Sequence, residues 1–317
     1  MRKKQKTITV STPGPPLPDR LSPSRIKDWM QCELRFYFGA VERWRTPPTE
    51  ATALGNVVHQ ALEDLYRLSP DERTRGRAKQ LLEDAFSTVL ENAEYDAIRA
   101  DDAVMDNLRE RAPAAVDGLY ELEDPTHVDV DPADLERWAE RDLYAAPIRG
   151  RIDRTTRTPT WVVSDYKTGK VPAPRYVSGA LGSMYTYAAV LAAGHPDRRL
   201  PDTIELLYLL GPERISRPVV REHLLSHARK LGETWQAITT AHGAGQYIAR
   251  TGPLCGWCPF ALACPAVTAD APAVGTLDSG RLLTADGLTR STTIGDPDRD
   301  PDRDAAEEAA SLQEASS

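Results

Sequence analysis

The spacing of apolar residues divides the chain into a helical first part and a second part in which strands and helices alternate. A Ser-Pro pair at residues 22–23 suits the cap and first turn of a helix, and apolar residues then recur at helical spacing as far as Phe38. Another helix is predicted from about Leu54, and helical patterns continue through 76–122. From about residue 127, beginning with HVDVD, the pattern becomes typical of strands.

A hairpin gives the clearest strand signal. It pairs PIRGRIDRTT (147–156) with TWVVSDYKTG (160–169) across a short polar turn. The segments that follow predict a helix, a strand and a helix, namely GALGSMYTYAAVLAAG, TIELLYLL and SHARKLGETWQAITTAHGAG. Helices, then strands, then strand–helix alternation predict an α/β core with a helical insertion.

Composition sets the broad class of the protein. The chain has 317 residues, of which 41% are hydrophobic, enough for a sizeable core. No stretch approaches eighteen consecutive apolar residues, and the N-terminus lacks the apolar region of a secretory signal, so no membrane contact is predicted. Four cysteines are too few for a disulfide scaffold, and a cytoplasmic location is therefore expected. The Pro-rich segment 1–20 and the acidic tail 267–317 are predicted to be disordered.

Charge is segregated along the chain. The net charge is −8 overall, but segment 60–146 carries −13 and the tail carries −7. Segments 21–59 and 147–266 together carry +8. A basic surface built from these two segments can therefore meet a polyanion although the whole chain is acidic.

Two carboxylates and a lysine lie near the strand ends of the predicted hairpin. Asp165 and Lys167 are two residues apart and point to the same face of a strand, and the hairpin partner brings Asp153 alongside. Carboxylate oxygens suit Mg²⁺ or Mn²⁺, and a lysine beside them can orient water or stabilise developing negative charge at a phosphodiester. The alternative is a solvated salt-bridge cluster on an exposed face.

A histidine is a further candidate ligand. His59 lies on an apolar helical face, one turn after Gly55, which would allow close approach of the backbone. A lone histidine in such a place is more often a core or boundary residue.

The four cysteines form one candidate site. Cys255, Cys258 and Cys264 lie within ten residues of one another, and Cys32 lies far upstream. Four thiolates can hold a [4Fe–4S] cluster or Zn²⁺. One distant cysteine with a tight triplet favours the cluster over zinc, which usually takes two paired motifs; buried free thiols are the remaining alternative. The site would act as a structural staple between the two ends of the domain.

Five segments of the chain together resemble a known family. They are LSPSRIKDWMQCELRFYF, GNVVHQAL, GRIDR, SDYKTGK and CGWCPFALAC, in that order. This set resembles the RecB-type branch of the PD-(D/E)XK nucleases, which includes the AddB nuclease domain and CRISPR-associated RecB-like exonucleases. The resemblance covers 21–266. It implies a restriction-endonuclease-like α/β core, with a mixed central sheet flanked by helices, a helical insertion at about 60–126 and a C-terminal iron–sulfur staple.

The same resemblance implies roles for individual residues. It makes Lys167 the catalytic lysine, with Asp153 and Asp165 also catalytic. It implies two ligand sets: His59, Asp153 and Asp165 for Mg²⁺ or Mn²⁺, and Cys32, Cys255, Cys258 and Cys264 for the [4Fe–4S] cluster.

One departure concerns the helix that follows the lysine strand. The family carries Gln-x-x-x-Tyr there; Tyr187 keeps the tyrosine as a further catalytic residue, but Ser183 replaces the glutamine. The shorter serine predicts reduced activity or an altered grip on the strand.

The resemblance implies a metal-dependent DNA nuclease, expected to be an exonuclease acting on single strands or duplex ends in DNA repair or recombination, with a helicase as a candidate partner. The alternatives are a CRISPR adaptation nuclease that trims spacer precursors, a weakly active iron–sulfur DNA-binding scaffold and a zinc-stapled interaction module. Backbone contacts with DNA are expected from basic residues that flank the site, namely Arg149, Arg151, Arg154 and Lys170. Four tryptophans are candidate stacking platforms, although core packing is their commoner role: Trp29, Trp44, Trp161 and Trp257.

Overall fold

Five strands from the second part of the chain form one mixed sheet. The strands are β2 (Leu135–Leu143), β3 (Ala146–Thr156), β4 (Val162–Lys167), β5 (Thr203–Tyr208) and β6 (Glu213–Pro218). They lie in the order β2-β3-β4-β5-β6, and every neighbouring pair is antiparallel except the parallel pair β4–β5. The computed structural model describes residues 4–10, 14–268, 282–284 and 287–289.

Helices cover both faces of this sheet. Their bounds in chain order are α1 (Pro23–Gln31), α2 (Glu33–Phe36), α3 (Glu50–Arg67), α4 (Arg75–Leu90), α5 (Asp96–Arg99), α6 (Asp102–Leu122), α7 (Val177–Ala180), α8 (Gly182–Gly194) and α9 (Arg221–Ala244). One apolar core joins α1, α2, α8 and α9 to the sheet, and a second joins α3, α4 and α6 to its other face. The mixed sheet flanked by helices agrees with the predicted fold class.

The segment between the first helices and the sheet is helical, as the sequence indicates. Its helices pack closely on the sheet at Gly118 of α6, where an added Cβ would lie 1.9 Å from the carbonyl oxygen of Leu209. A side chain at this position would force the helix away from the end of β5, so the helical layer requires glycine here. None of the helices in the described residues is long and apolar enough to cross a membrane.

The predicted first helix is interrupted at Cys32. The Ser22 hydroxyl caps α1 by accepting a hydrogen bond from the Arg25 amide at 3.3 Å, as expected. Cys32 then has extended backbone, and the chain restarts as α2 and a π-helical turn over Tyr37–Val41. The Cys32 sulfur accepts a hydrogen bond from the Arg250 amide at 3.4 Å. A strand from the far end of the domain therefore binds the chain where the helix breaks.

The prediction of disorder for the first twenty residues is wrong for the part described. Strand β1 (Lys4–Thr9) pairs antiparallel with β7 (Gln246–Thr251). Ile8 and the neighbouring Val10 are buried in the core, and this burial together with the strand pairing orders the segment. The prediction of a disordered tail lies mostly outside the described residues, apart from the paired strands β8 (Leu282–Thr284) and β9 (Gly287–Thr289).

The HVDVD segment is not a strand. It begins at the end of one single 3₁₀ turn, Pro125–His127, and ends just before another, Pro132–Asp134. Each turn begins with an Asp-Pro pair whose carboxylate accepts a backbone hydrogen bond two residues on, at 3.0 and 2.9 Å. These Asx turns compete with strand pairing, so the sheet begins only at Leu135.

Candidate metal-binding active site

The candidate site lies where strands β3 and β4 separate. Their pairing runs from Thr156 opposite Val162 to Arg154 opposite Ser164, and there it ends. Beyond that point β3 stays paired with β2, and β4 stays paired with β5. Asp153 and Asp165 follow the last pair, one on each side of the opening.

The carboxylates and the lysine come together as the hairpin predicts. The Lys167 ammonium forms an ion pair with the Asp165 carboxylate. Across the opening, the Asp153 carboxylate accepts a hydrogen bond from the Tyr166 amide at 2.8 Å. Both aspartates are buried. This is a buried site on divergent strands, and not a solvated cluster on an exposed face.

His59 reaches this site from α3. Its Nε2 lies 3.1 Å from the Tyr166 carbonyl oxygen, which can only accept a hydrogen bond, so Nε2 carries the proton. Its Nδ1 faces two carboxylates, Asp153 at 3.4 Å and Glu136 at 3.6 Å. The carbonyl fixes the ring with one nitrogen directed at the acidic groups, as for histidines that bind metals. Gly55 is not needed for close approach, because an added Cβ would meet only Thr168 Oγ1, at 3.7 Å.

Glu136 is the site residue that the sequence motifs do not identify. Together with His59 and Asp153 it offers three ligand atoms within 4.8 Å of one another, and this is the only such group in the part of the chain that the structure describes. A nitrogen and two carboxylate oxygens are suitable donors for a divalent cation. Asp165, predicted as the third ligand, is outside this trio and pairs with Lys167.

The backbone explains how Glu136 enters the site. It lies on β2 between the pairs Leu135–Arg154 and Arg137–Ile152, and its φ of 45° is left-handed. Such a conformation costs energy for a residue with a side chain and is frequent at functional sites. No motif marks Glu136: its position beside Asp153 follows from the pairing of β2 with GRIDR, and the sequence pattern does not fix the register of that pairing.

The acidic surroundings change the protonation of the site. Burial lowers the pKa of His59, but the carboxylates of Asp153 and Glu136 outweigh burial and raise this pKa to about 9. Burial also raises the pKa of Asp153 and of Asp165. For Lys167, burial lowers the pKa, but Asp165 and Asp153 more than compensate and raise it. The metal-free site therefore balances its carboxylates with an imidazolium and an ammonium.

Arg154 does not bind DNA from the surface, and this prediction is wrong. Its side chain is 2% exposed and pairs with Glu123 and Glu205 beneath the sheet. Its guanidinium lies over the rings of Tyr66 and Tyr166, at 4.7 and 5.4 Å from their centroids. Helices α3 and α6 cover this face, and Arg154 supports the last β3–β4 pair from within.

The other three basic residues lie nearer the surface. The Arg151 side chain is 50% exposed and pairs with Glu136 at 2.9 Å and with Glu63 at 3.6 Å. Arg149 lies over the Trp138 ring, 4.3 Å from its centroid. Lys170 is exposed, and among the described residues it forms no ion pair.

Tyr187 lies on α8 against the strand that carries Asp153. An added Cβ at Gly150 would lie 2.5 Å from the Tyr187 ring and 3.3 Å from Pro23, so this glycine lets helix α8 approach β3. Ser183 lies one turn earlier on the same helix and is half-buried. Tyr187 therefore packs on β3 three residues before Asp153, and its role in catalysis stays a prediction.

Most of the candidate stacking tryptophans are core residues. Trp29, Trp44 and Trp161 are buried. Trp257, between two cysteines, is 87% exposed.

The four cysteines line one cavity between α2 and the segment after β7. All four are free thiols. The Cys255 sulfur accepts a hydrogen bond from the Gly252 amide at 3.3 Å, and burial raises the pKa of Cys258 and Cys264. The chain thus brings Cys32 to the same cavity as the C-terminal triplet.

Comparison with known proteins identifies the family. The sequence profile of the PD-(D/E)XK nuclease superfamily matches residues 20–265. The chain belongs to the PD-(D/E)XK nuclease superfamily. This membership indicates a nuclease that hydrolyses phosphodiester bonds, and nucleases of the superfamily typically use Mg²⁺ or Mn²⁺.

Two solved structures are similar to this nuclease. A protein of Eubacterium rectale, named as a candidate exonuclease, is 12% identical with a TM-score of 0.41; the alignment covers 73% of this chain and 84% of that one. SSO0001 is 16% identical with a TM-score of 0.31, and the alignment covers 68% and 95% of the two chains. No curated protein matches the sequence.

Protons and metal ions are expected to compete for the candidate site, because its carboxylates favour a proton on His59. A metal at His59 must displace the proton from Nδ1, which is retained below pH 9. We expect Mn²⁺ affinity, measured by titration calorimetry, to rise on the order of tenfold per pH unit between pH 6 and 8. The His59→Asn variant should bind more weakly and show a shallower slope. Equal slopes in both proteins would contradict this assignment of His59.

Proposed function

We propose that this protein is a DNA exonuclease that acts on single strands or duplex ends, with Mg²⁺ or Mn²⁺ bound by His59, Glu136 and Asp153. The observation that carries the proposal is the placement of the Asp165–Lys167 ion pair across the β3–β4 opening from this trio. A bound divalent cation would lower the pKa of water and balance phosphate charge. The donor set fits such an ion because it combines one imidazole nitrogen with two carboxylates.

The residues around the metal ligands have separate tasks in this proposal. The Lys167 ammonium, held by Asp165, orients the attacking water and stabilises negative charge that develops on the phosphate. Because burial and like charge raise the pKa of Asp165, a neighbouring cation is needed to keep its carboxylate ionised. Exposed Lys170 lies three residues after Lys167 and supplies a contact for the DNA backbone.

The exonuclease assignment and a role in repair or recombination rest on the resemblance to the RecB-type branch. The same site also fits a CRISPR adaptation nuclease, and a helicase or an adaptation protein is the corresponding partner. The DNA-binding scaffold is a second candidate, favoured by one observation: Ser183 replaces the family's glutamine beside Tyr187.

Cleavage of end-labelled DNA tests the proposed activity. Single strands and blunt duplexes are incubated with Mg²⁺, Mn²⁺ or EDTA, and the products are separated by length. We expect metal-dependent shortening from one end, reduced at least a hundredfold in Lys167→Ala, which loses the charge that stabilises the reacting phosphate, and in Asp165→Asn, which loses the carboxylate that holds Lys167.

The matched control is Asp117→Asn. This carboxylate lies on α6 and pairs with Arg75 and Lys79 at the surface, and its loss should leave cleavage unchanged. Wild-type protein that binds both metal and DNA without cleaving would reject the nuclease and favour the scaffold.

We also propose that the cysteine cavity holds a [4Fe–4S] cluster. The cavity brings together four thiols, which are the usual ligands of such a cluster. One distant cysteine with a tight triplet supports a cluster more than zinc, whose structural sites usually combine two paired motifs. Such a cluster would join α2 to the chain after β7 and act as a staple.

Metal analysis of protein purified without oxygen tests the cluster. We expect about four iron and four sulfide per chain, and loss of both in Cys258→Ser. The thermal midpoint should fall in the same variant, because the cavity connects distant parts of the chain. One zinc per chain without sulfide would contradict the proposal.

A further inference from the structure

A tryptophan lies beside the metal site on the β2–β3 hairpin. Trp138 of β2 is directly opposite Arg151 of β3, and residues opposite one another in an antiparallel pair project to the same face. Arg151 contacts the Glu136 carboxylate at 2.9 Å, and Glu136 contacts His59. The Trp138 ring therefore shares a face with a residue that touches Glu136, one of the three candidate metal ligands.

Arg149 supports this ring. Its guanidinium lies 4.3 Å from the centroid of the Trp138 ring, within the range of a cation–π interaction. Arg149 is half-buried and is the next residue of β3 on the same face. The contact holds the indole in one orientation, and Trp138 is half-buried.

Trp138 lies on β2, which is the edge strand of the five-stranded sheet, so no further strand of that sheet continues past it. Two acidic residues, Glu140 and Asp142, follow Trp138 along β2. The Arg20 guanidinium pairs with both carboxylates, at 3.8 Å from Glu140 and 2.6 Å from Asp142. An approaching phosphate backbone would therefore meet carboxylates that are already paired.

We propose that Trp138 is a stacking platform for a base of single-stranded DNA next to the bond that is cut. The inference rests on the proposed DNA nuclease and deepens it, because a stacked duplex does not offer a free base face at this position, whereas a single strand does. Stacking on an aromatic ring is tolerant of base identity, as an exonuclease without sequence preference requires. Arg149 acts as a positioning residue for the ring.

Oligonucleotide binding tests the platform separately from cleavage. The parent protein is Asp165→Asn, and fluorescence anisotropy is measured in EDTA with oligo(dT), with oligo(dT) containing abasic sites, and with a blunt duplex. We expect Trp138→Ala to weaken oligo(dT) binding roughly 5- to 100-fold. Binding of the abasic strand should already be weak and should change little, and Trp138→Phe should recover much of the affinity.

Two comparisons separate stacking from other effects. Trp138→Ala should leave the slope of log affinity against log salt unchanged, whereas Lys170→Gln should lower it by about one because one phosphate contact is lost. The control Tyr144→Ala, at the exposed turn of the same hairpin, should bind like the parent.

The binding and cleavage results distinguish failure of the stacking platform from failure of the proposed nuclease activity. Equal weakening of oligo(dT), abasic strand and duplex by Trp138→Ala would overturn the platform, as would unchanged binding of all three. If the parent binds no oligonucleotide at all, the proposed DNA function fails and the platform fails with it. If oligo(dT) responds as expected but wild-type protein cleaves no DNA, the nuclease proposal fails alone.

Discussion

The separation of β3 from β4 after the Arg154–Ser164 pair is the constraint on which the rest of the structure depends. Continued pairing would bring the two strands into a closed ladder and leave no space between Asp153 and Asp165. Because the strands separate, the carboxylates of Asp153, Asp165 and Glu136 lie close together in a buried opening, where like charges repel strongly. In the metal-free protein the charge is balanced by protonated His59, by Lys167 and by Arg151.

The opening is supported from the face that α3 and α6 cover. There the Arg154 guanidinium contacts Glu123 and Glu205, and Arg214 joins the same two carboxylates at 3.3 and 2.6 Å. Removing one partner of a buried pair costs about 3–5 kcal/mol because the remaining charge is left without compensation. This network fixes the last residue pair between β3 and β4, Arg154 opposite Ser164, and therefore the position of Asp153.

The sequence predicted those site residues that depend on local spacing. Asp165 and Lys167 follow from the two-residue repeat of a strand, and Asp153 follows from its hairpin partner. His59 needed the family resemblance, because an isolated histidine on an apolar helix has no local signal. Glu136 and Trp138 were missed for a shared reason: their relation to the site depends on the register of β2, a strand the pattern did not delimit.

Two predictions were wrong because contacts within the tertiary structure bury or order the residues concerned: one placed Arg154 at the surface, and the other made the N-terminal segment disordered. Arg154 is next to Asp153 in sequence, which favoured a DNA contact, but its burial is decided by α3 and α6, more than thirty residues upstream. The segment Lys4–Thr9 is polar and precedes prolines, yet β7, more than two hundred residues later, supplies its strand partner. The burial of Arg154 and the pairing of β1 with β7 both depend on contacts between distant segments, and composition and periodicity give no information about such contacts.

Strands β2 and β3 and helix α3 together form one candidate site for a divalent metal. Diffraction from crystals soaked in Mn²⁺, recorded with the anomalous signal of manganese, tests this site most directly. We predict a single strong peak within ligand distance of His59 Nδ1, Glu136 and Asp153, and its loss in crystals of Glu136→Gln. A peak that contacts Asp165 but neither His59 nor Glu136, or no peak in this opening, would show that these three residues do not bind the metal.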